Sequence, residues 1–249
     1  MRHLTDACII AGRDLLRAKR QKTNLVNALV RPILWLFVLG AGLKGGFAAL
    51  LGGVNLQQYI FPGVIAMNVA FAGVMSGSSI IWDREFGFLK EIMVAPVSRI
   101  SIVLGKLFSG SLVAFFHGLV VLLFYPLLGL KPGPAQLALT LTAVFLVSLT
   151  VTSLGILLAV RMRSIEGFGT INNFLVMPMF FLSGAMFPPE NIPGWLKYLT
   201  VINPLTYGVD LIRGTILGLQ GNFLFDLLVL LYLTLLMLVI AVKLFEQSG

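Results

Sequence analysis

Apolar positions along the chain gather into long runs, and short clusters of charge, glycine and proline part them. Crossing the hydrocarbon of a bilayer takes about 20 predominantly apolar residues in a helix. Six runs fit that length, at 33–51, 59–81, 102–128, 135–160, 168–187 and 223–244. Gly40, Gly42, Lys44, Gly45 and Gly46 break the far end of the first, so its regular helix is expected to stop near Leu43. The pattern predicts an all-α integral membrane protein with six transmembrane helices, and 1–249 as a single domain.

Composition agrees, with 58% hydrophobic and 11% charged residues in 249 positions, which excludes a soluble enzyme with an apolar core. The leader of some thirty residues is basic and lacks a short apolar segment followed by a small-residue cleavage site, so a cleaved signal peptide is not expected. Cys8 is the single cysteine, and no Cys/His cluster has metal-ligand spacing. Neither an internal disulfide nor a bound metal is expected.

With six spans, 14 of the 18 Lys and Arg fall on one side and 4 on the other, the latter being Lys44, Lys131, Lys197 and Arg213. The positive side faces the cytoplasm, so both termini and the charged cluster at 83–99 are expected there. Attraction of each basic residue to anionic headgroups is on the order of 1 kcal/mol. The net charge of +8 therefore needs no nucleic acid to account for it.

Two amphipathic segments stand out on that side. In 1–24, Leu4, Cys8, Ala11, Leu15 and Ala18 share one helical face, with Asp6, Arg13, Arg17 and Arg20 opposite, while Ile9 and Leu16 interrupt the polar face. This predicts a cytoplasmic interfacial helix, serving as a membrane-surface anchor, as a face for a cytoplasmic partner, or as both. In 83–99, Phe86, Leu89 and Met93 share a face with Phe88 and Ile92 alongside, and Asp83, Arg84, Lys90 and Glu91 surround it with charge. Pro96 closes this short helix and biases Ala95 away from helical geometry, so the chain turns before Ser98 and Arg99. A lever between two spans and an ordinary cytoplasmic loop both fit that pattern.

The run Arg84-Glu85-Phe86-Gly87-Phe88-Leu89-Lys90-Glu91-Ile92-Met93-Val94-Ala95-Pro96-Val97-Ser98-Arg99, followed by Leu104-Gly105-Lys106, resembles the cytoplasmic loop of ABC-2 type transporter permeases. A second block is similar to the C-terminal signature of the same family: Phe181-Leu182-Ser183-Gly184-Ala185-Met186-Phe187-Pro188, then Ile192-Pro193-Gly194-Trp195-Leu196, then Asn203-Pro204-Leu205-Thr206-Tyr207-Gly208-Val209-Asp210-Leu211-Ile212-Arg213. The nodulation-factor and daunorubicin-type export permeases are the nearest in pattern. The two blocks and the span count cover nearly the whole chain.

The resemblance implies the membrane subunit of an ATP-driven exporter in a bacterial or archaeal cytoplasmic (inner) membrane. In it, two copies of the permease and two copies of a separate nucleotide-binding ATPase subunit assemble, and cargo leaves between the permeases. It implies a coupling helix at 83–99, with Glu85, Lys90, Glu91 and Arg99 making polar contacts to the ATPase. Phe86, Leu89 and Met93 would fill a groove on that subunit, and Gly87 and Pro96 would shape the lever. ATP and Mg would sit on the partner, with no cofactor on this chain.

The residues of the second block also read without the family. Pro188 and Pro189 stop the fifth run, and Asn191 with Pro193 starts a short helix whose Trp195, Tyr198, Leu199 and Ile202 form an aromatic-rich face suited to the headgroup boundary. Pro204 breaks the chain again, and Val209, Ile212, Ile216 and Leu219 mark another apolar stripe, with Asp210 and Arg213 one turn apart. These predict extracellular re-entrant helices within 188–220, too short to span.

Inside the spans polar chemistry is thin. His117 is a functional candidate or a neutral histidine hydrogen-bonded across helices, and Asn68, Asn172 and Asn173 are interhelical hydrogen-bond groups or face a cargo path. Gly73-Val74-Met75-Ser76-Gly77 allows close helix packing, within the chain or at a dimer seam. The chain has no Gly-x-x-x-x-Gly-Lys-Ser/Thr loop, so ATP hydrolysis would need a separate subunit. The alternative class is a membrane-embedded enzyme acting on lipid-linked substrates through His117 or Asp210, for which no catalytic partner is evident. An ion-coupled transporter is disfavoured by the lack of intramembrane carboxylates and of a clear internal repeat. Cargo, whether drug-like amphiphile, lipid or lipid-linked glycan, is not legible.

Overall fold

The structure is a computed structural model that describes residues 2–20, 23–42, 55–87, 97–186, 193–218 and 222–247. All regular structure among the described residues is helical. Helix α1 (Arg2–Arg20) is followed by α2 (Thr23–Ile33), which runs on through a π-helical stretch at Leu34–Leu39 into a last turn at Gly40–Gly42. Then come α3 (Leu56–Ser76), α4 (Ser78–Glu85), α5 (Arg99–Leu122), α6 (Pro134–Arg161) and α7 (Ile165–Phe181). Two short helices, α8 (Gly194–Ile202) and α9 (Pro204–Leu217), precede α10 (Phe223–Gln247).

Four stretches among the described residues are long and apolar enough to cross a membrane: Leu56–Glu85, Arg99–Leu128, Pro134–Arg161 and Phe223–Gln247. The other two expected spans are shorter here. The apolar part of α2 is Ala28–Val38, with 43–54 outside the described residues, and α7 has 17 residues. The chain is a multi-pass membrane protein.

Local sequence sets the helix boundaries. Asn55, Ser98, Ser164 and Asn203 each accept a hydrogen bond from a backbone amide in the first turn of the helix that follows, at 3.0–3.2 Å. Each such cap stabilises its helix by about 1 kcal/mol. Pro134 and Pro204 occupy first-turn positions, where the missing amide hydrogen is not needed.

Helix α3 is the centre of the fold, packed by α5, α6, α7 and α9, with Phe61, Ile65 and Met67 fully enclosed. Its close approach to α6 depends on glycine. A Cβ on Gly77 would stand 2.3 Å from the carbonyl oxygen of Gly155, and one on Gly73 would stand 2.5 Å from Val151 Cγ2. The small-residue run at 73–77 thus serves packing within the chain, the first of the two uses its pattern allows. At the other extreme lies α10: 11% of its apolar window is buried, against 72% for Leu56–Glu85, so most of its length is left to lipid or to another subunit.

The leader differs from its expected face. Ala7, Ile10 and Ala11 are buried against α5, with Asp14 half-buried beyond them, whereas Cys8 is exposed. The physical reason is Gly105 on α5, which lets α1 come close enough that an added Cβ would meet the Ala7 carbonyl at 2.8 Å. Small side chains at the contact, rather than the larger Leu15 and Cys8, decide which face turns inward. Ile9 and Leu16, which interrupt the polar face, are exposed.

A second difference concerns Arg31. Counted with the cytoplasmic cations from its place in the leader, it lies inside the bundle, its guanidinium 3.7 Å from the ring centre of Phe71 near the middle of the Leu56–Glu85 stretch. Helix α2 begins ten residues ahead of the expected first span, at Thr23 rather than Ile33, and carries Arg31 in with it. The excess of positive residues on that side persists without Arg31.

Candidate functional site

The charged cluster is tied into the bundle at each of its described ends. Asp83, 2% exposed, closes α4 and receives Arg13 Nη2 from α1 at 2.6 Å and Lys106 Nζ from α5 at 2.5 Å. Arg13 also bonds Asp14 at 3.0 Å, and Lys106 Nζ lies 2.9 Å from Asp14 Oδ2, an ion pair out of line for a hydrogen bond. Two cations and two carboxylates from three helices therefore neutralise one another in a largely buried knot. Burial opposes the charge on Arg13, yet its bonds to Asp83 and the charges of Asp83 and Asp14 outweigh it and raise its pKa.

The next residue reaches elsewhere. Arg84 donates to the carbonyls of Met162 at 2.9 Å and Val160 at 3.0 Å, oxygens that the end of α6 leaves without helical partners. On the far side of the cluster, Ser98 caps α5, and Arg99 donates to the carbonyls of Phe245, at 3.3 Å, and Glu246 at the end of α10. A cation at a helix C-terminus also meets the negative end of the dipole. Asp83, Arg84 and Arg99 thereby connect the segment between them to α1, α5, α6 and α10.

Of the residues expected to meet an ATPase, Glu85 and Phe86 are exposed, and Phe86 stacks on Trp82 with ring centres 4.7 Å apart. Asp83, Arg84 and Glu85 form the last turn of α4, and Gly87 has φ +79, a left-handed conformation that suits glycine and ends that helix. Leu89, Lys90, Glu91, Met93 and Pro96 lie outside the described residues.

Asn68, His117, Asn172 and Asn173, far apart in sequence, line one cavity of about 460 Å³. Arg17, Arg31, Phe71, Trp82 and Ser109 share its wall. Asn68 joins three helices, its amide donating to the carbonyls of Ala28 and His117, both at 3.1 Å. Asn172 Nδ2 points at the Phe71 carbonyl at 3.5 Å, and its Oδ1 is buried without a partner.

On the opposite side of the bundle the second sequence block forms a cap. Arg213, 6% exposed, donates from Nη2 to the carbonyls of Gly184 at 2.8 Å and Ala185 at 3.4 Å, and from Nη1 to Asp210 at 3.3 Å. Its guanidinium also lies 4.3 Å from the ring centre of Tyr59. Gly184 takes φ +71, which turns its carbonyl toward Arg213. Asn203 caps α9 and donates to Met179 O at 2.6 Å, Pro204 opens that helix, and Tyr207 OH donates to Val201 O at 2.7 Å. Pro193 precedes α8, on which Trp195, Tyr198, Leu199 and Ile202 are all exposed. Val209, Ile212 and Ile216 are buried, while Leu219 and Pro188 lie outside the described residues.

The knot of Arg13, Asp14, Asp83 and Lys106 is what sequence reasoning missed. Its signal was Lys106 within an expected span, five residues after that span begins at Ile102, which demands a buried carboxylate nearby. Among the described residues no three His, Cys, Asp or Glu gather as a metal site. Asp210 is paired with Arg213 rather than with a second catalytic group.

Comparison with known proteins agrees with this geometry. The chain is 32% identical over 209 residues to the transport permease ycf38 of Cyanophora paradoxa, covering 82% of this chain and 72% of that protein. It is 27% identical over 202 residues to Nodulation protein J of Rhizobium leguminosarum bv. viciae, covering 80% and 77%. Against the multidrug ABC transporter permease YbhR of Escherichia coli, identity is 30% over 185 residues, covering 71% of this chain and 50% of that one. Residues 5–217 match the ABC-2 type transporter family, so the knot, the cavity and the outer cap all lie within the matched part or at its edge. The chain belongs to the ABC-2 type transporter family of membrane permeases.

Proposed function

We propose that this protein is the permease subunit of an ATP-driven exporter that moves an amphiphile, whether drug-like, lipid or lipid-linked glycan, outward across the cytoplasmic membrane. The family associates with an ATP-binding subunit. Here that subunit is a separate P-loop ATPase present in two copies, holding ATP and Mg, with a second copy of this chain completing the pathway among membrane lipids and no nucleic acid. In this reading the chain is one domain of six spans with both termini cytoplasmic. Segment 1–24 is interfacial, 83–99 couples to the ATPase, and 188–220 contains the re-entrant helices of the outer side.

The observation that carries the proposal is the fourfold anchoring of segment 83–99. Asp83 holds α1 and α5, Arg84 holds α6, and Arg99 holds α10. A displacement imposed on the residues between them is passed to four helices at once. Exposed Glu85 and Phe86 stand where a cytoplasmic subunit would bear on that segment.

The test is reconstitution of the permease with its ATPase in proteoliposomes. Glu85→Lys and Pro96→Ala should each lower transport-coupled ATP hydrolysis while leaving membrane insertion intact. Full coupling in both variants rejects the proposal, and activity on a lipid-linked substrate without any ATPase favours a membrane enzyme instead.

A further inference from the structure

Every other deeply placed cation described above has an acidic partner: Lys106 meets Asp83 and Asp14, and Arg213 meets Asp210. Arg31 is the exception. Part-buried near the middle of a span, it has the face of Phe71 at 3.7 Å and no ion pair with any described carboxylate. A guanidinium keeps its charge in such surroundings, so it calls for a counter-charge. It also lines the cavity of about 460 Å³, a size within the roughly 300–1,000 Å³ of small-molecule sites.

The charge of that cavity is one-sided. Arg17, its guanidinium 4.5 Å from the ring centre of Trp82, is a second cation on the wall. Asp14 is the carboxylate lining the cavity, and Arg13 and Lys106 already neutralise it. His117 and the asparagines add neutral polar groups. Asn172, 6% exposed with Oδ1 buried and unpartnered, adds an acceptor for a hydroxyl or amide of a ligand. Phe71, Met75, Trp82 and Val113 supply apolar wall beside the cations.

We infer that this cavity is the binding site for the anionic headgroup of an amphiphile, with Arg31 as its principal counterion, Arg17 as the second, and Asn172 reading a neutral polar group next to the charge. Phosphate and carboxylate heads share the needed chemistry, because each offers the guanidinium two coplanar acceptors. An apolar tail attached to the head runs along the aromatic wall. The inference deepens the exporter reading by naming the cargo as anionic, and rests on it for that step only.

The test uses the full chain in nanodiscs of phosphatidylcholine and follows binding of short-chain phosphatidic acid by native mass spectrometry. Uncharged diacylglycerol of the same chains and inorganic phosphate serve as competitors. Phosphatidic acid should bind the wild type, Arg31→Gln should weaken binding at least tenfold, and Arg31→Lys should recover most of it. Arg17→Gln, at an exposed position that folding does not need, should weaken it severalfold. Neither competitor should displace the lipid. Equal binding of diacylglycerol, displacement by inorganic phosphate alone, or unchanged affinity in both glutamine variants overturns the inference. Export assays separate the two readings. ATP-driven export indifferent to Arg31 removes this site and keeps the exporter, whereas Arg31-dependent binding without ATP-driven export keeps the site and removes the exporter.

Discussion

The two ends of the bundle are braced by buried cations in different ways. At the end carrying the charged segment, Lys106 and Arg13 hold the side chains of Asp83 and Asp14, and the four groups come from three helices. At the other end, Arg213 holds mainly the backbone carbonyls of Gly184 and Ala185, in a cap set by Asn203 and Pro204. Side-chain ion pairs can change partners when helices slide, whereas backbone carbonyls fixed by a left-handed glycine have one geometry. The first end is built to move between arrangements, and the second to keep its shape.

The comparison can be broken by substitution. The largest effect should come from Lys106→Met, which leaves Asp83 and Asp14 in a buried site with Arg13 alone and costs about 3–5 kcal/mol. Adding Asp83→Asn should restore much of that loss, because the knot consists of mutually compensating charges. Arg213→Met should cost about 1.5–3 kcal/mol through lost charge-assisted bonds. Asp210→Asn should not restore it, since the lost partners are carbonyls. Thermal unfolding of the detergent-solubilised chain reads all four variants, and rescue at the outer end as complete as at the inner one would erase the distinction.

Smaller effects sharpen it. Gly77→Ala places a Cβ against the Gly155 carbonyl and should cost about 1–3 kcal/mol, an effect of packing that charge does not enter. Arg99→Ala removes two bonds to the end of α10 and should cost about 1 kcal/mol or less in the same melts. Its coupling of ATP hydrolysis to transport should nonetheless fall severalfold, because that arginine links the segment to α10. A proportionate loss of stability and coupling would mean that Arg99 only holds the fold together.

Much of this architecture is readable because the bilayer limits the options. Long apolar runs must be helices, and Pro204 with Asn203 writes a helix start in two residues. The short helices α8 and α9 and the aromatic face of Trp195 and Tyr198 followed from the same punctuation. Pairings across the sequence were not legible. That Lys106 would meet Asp83, or that Asn68, His117, Asn172 and Asn173 would share one cavity, depends on how helices rotate and cross. The burial of Ala7 and Ile10 in place of Cys8 shows the limit well. A periodicity finds an apolar stripe, but a glycine on the neighbouring helix chose the residues that enter the contact.

The account's central claim is that movement of segment 83–99 is passed to the helices anchored at its ends. Cys8, the single cysteine and exposed on α1, is a natural labelling site, and Gln247→Cys supplies a second at the end of α10. Spin-label distances between the two, measured in the reconstituted complex with its ATPase, should shift when ATP binds, and Pro96→Ala should abolish the shift. An unchanged distance in a complex that exports, or the same shift in the Pro96→Ala protein, would contradict the account.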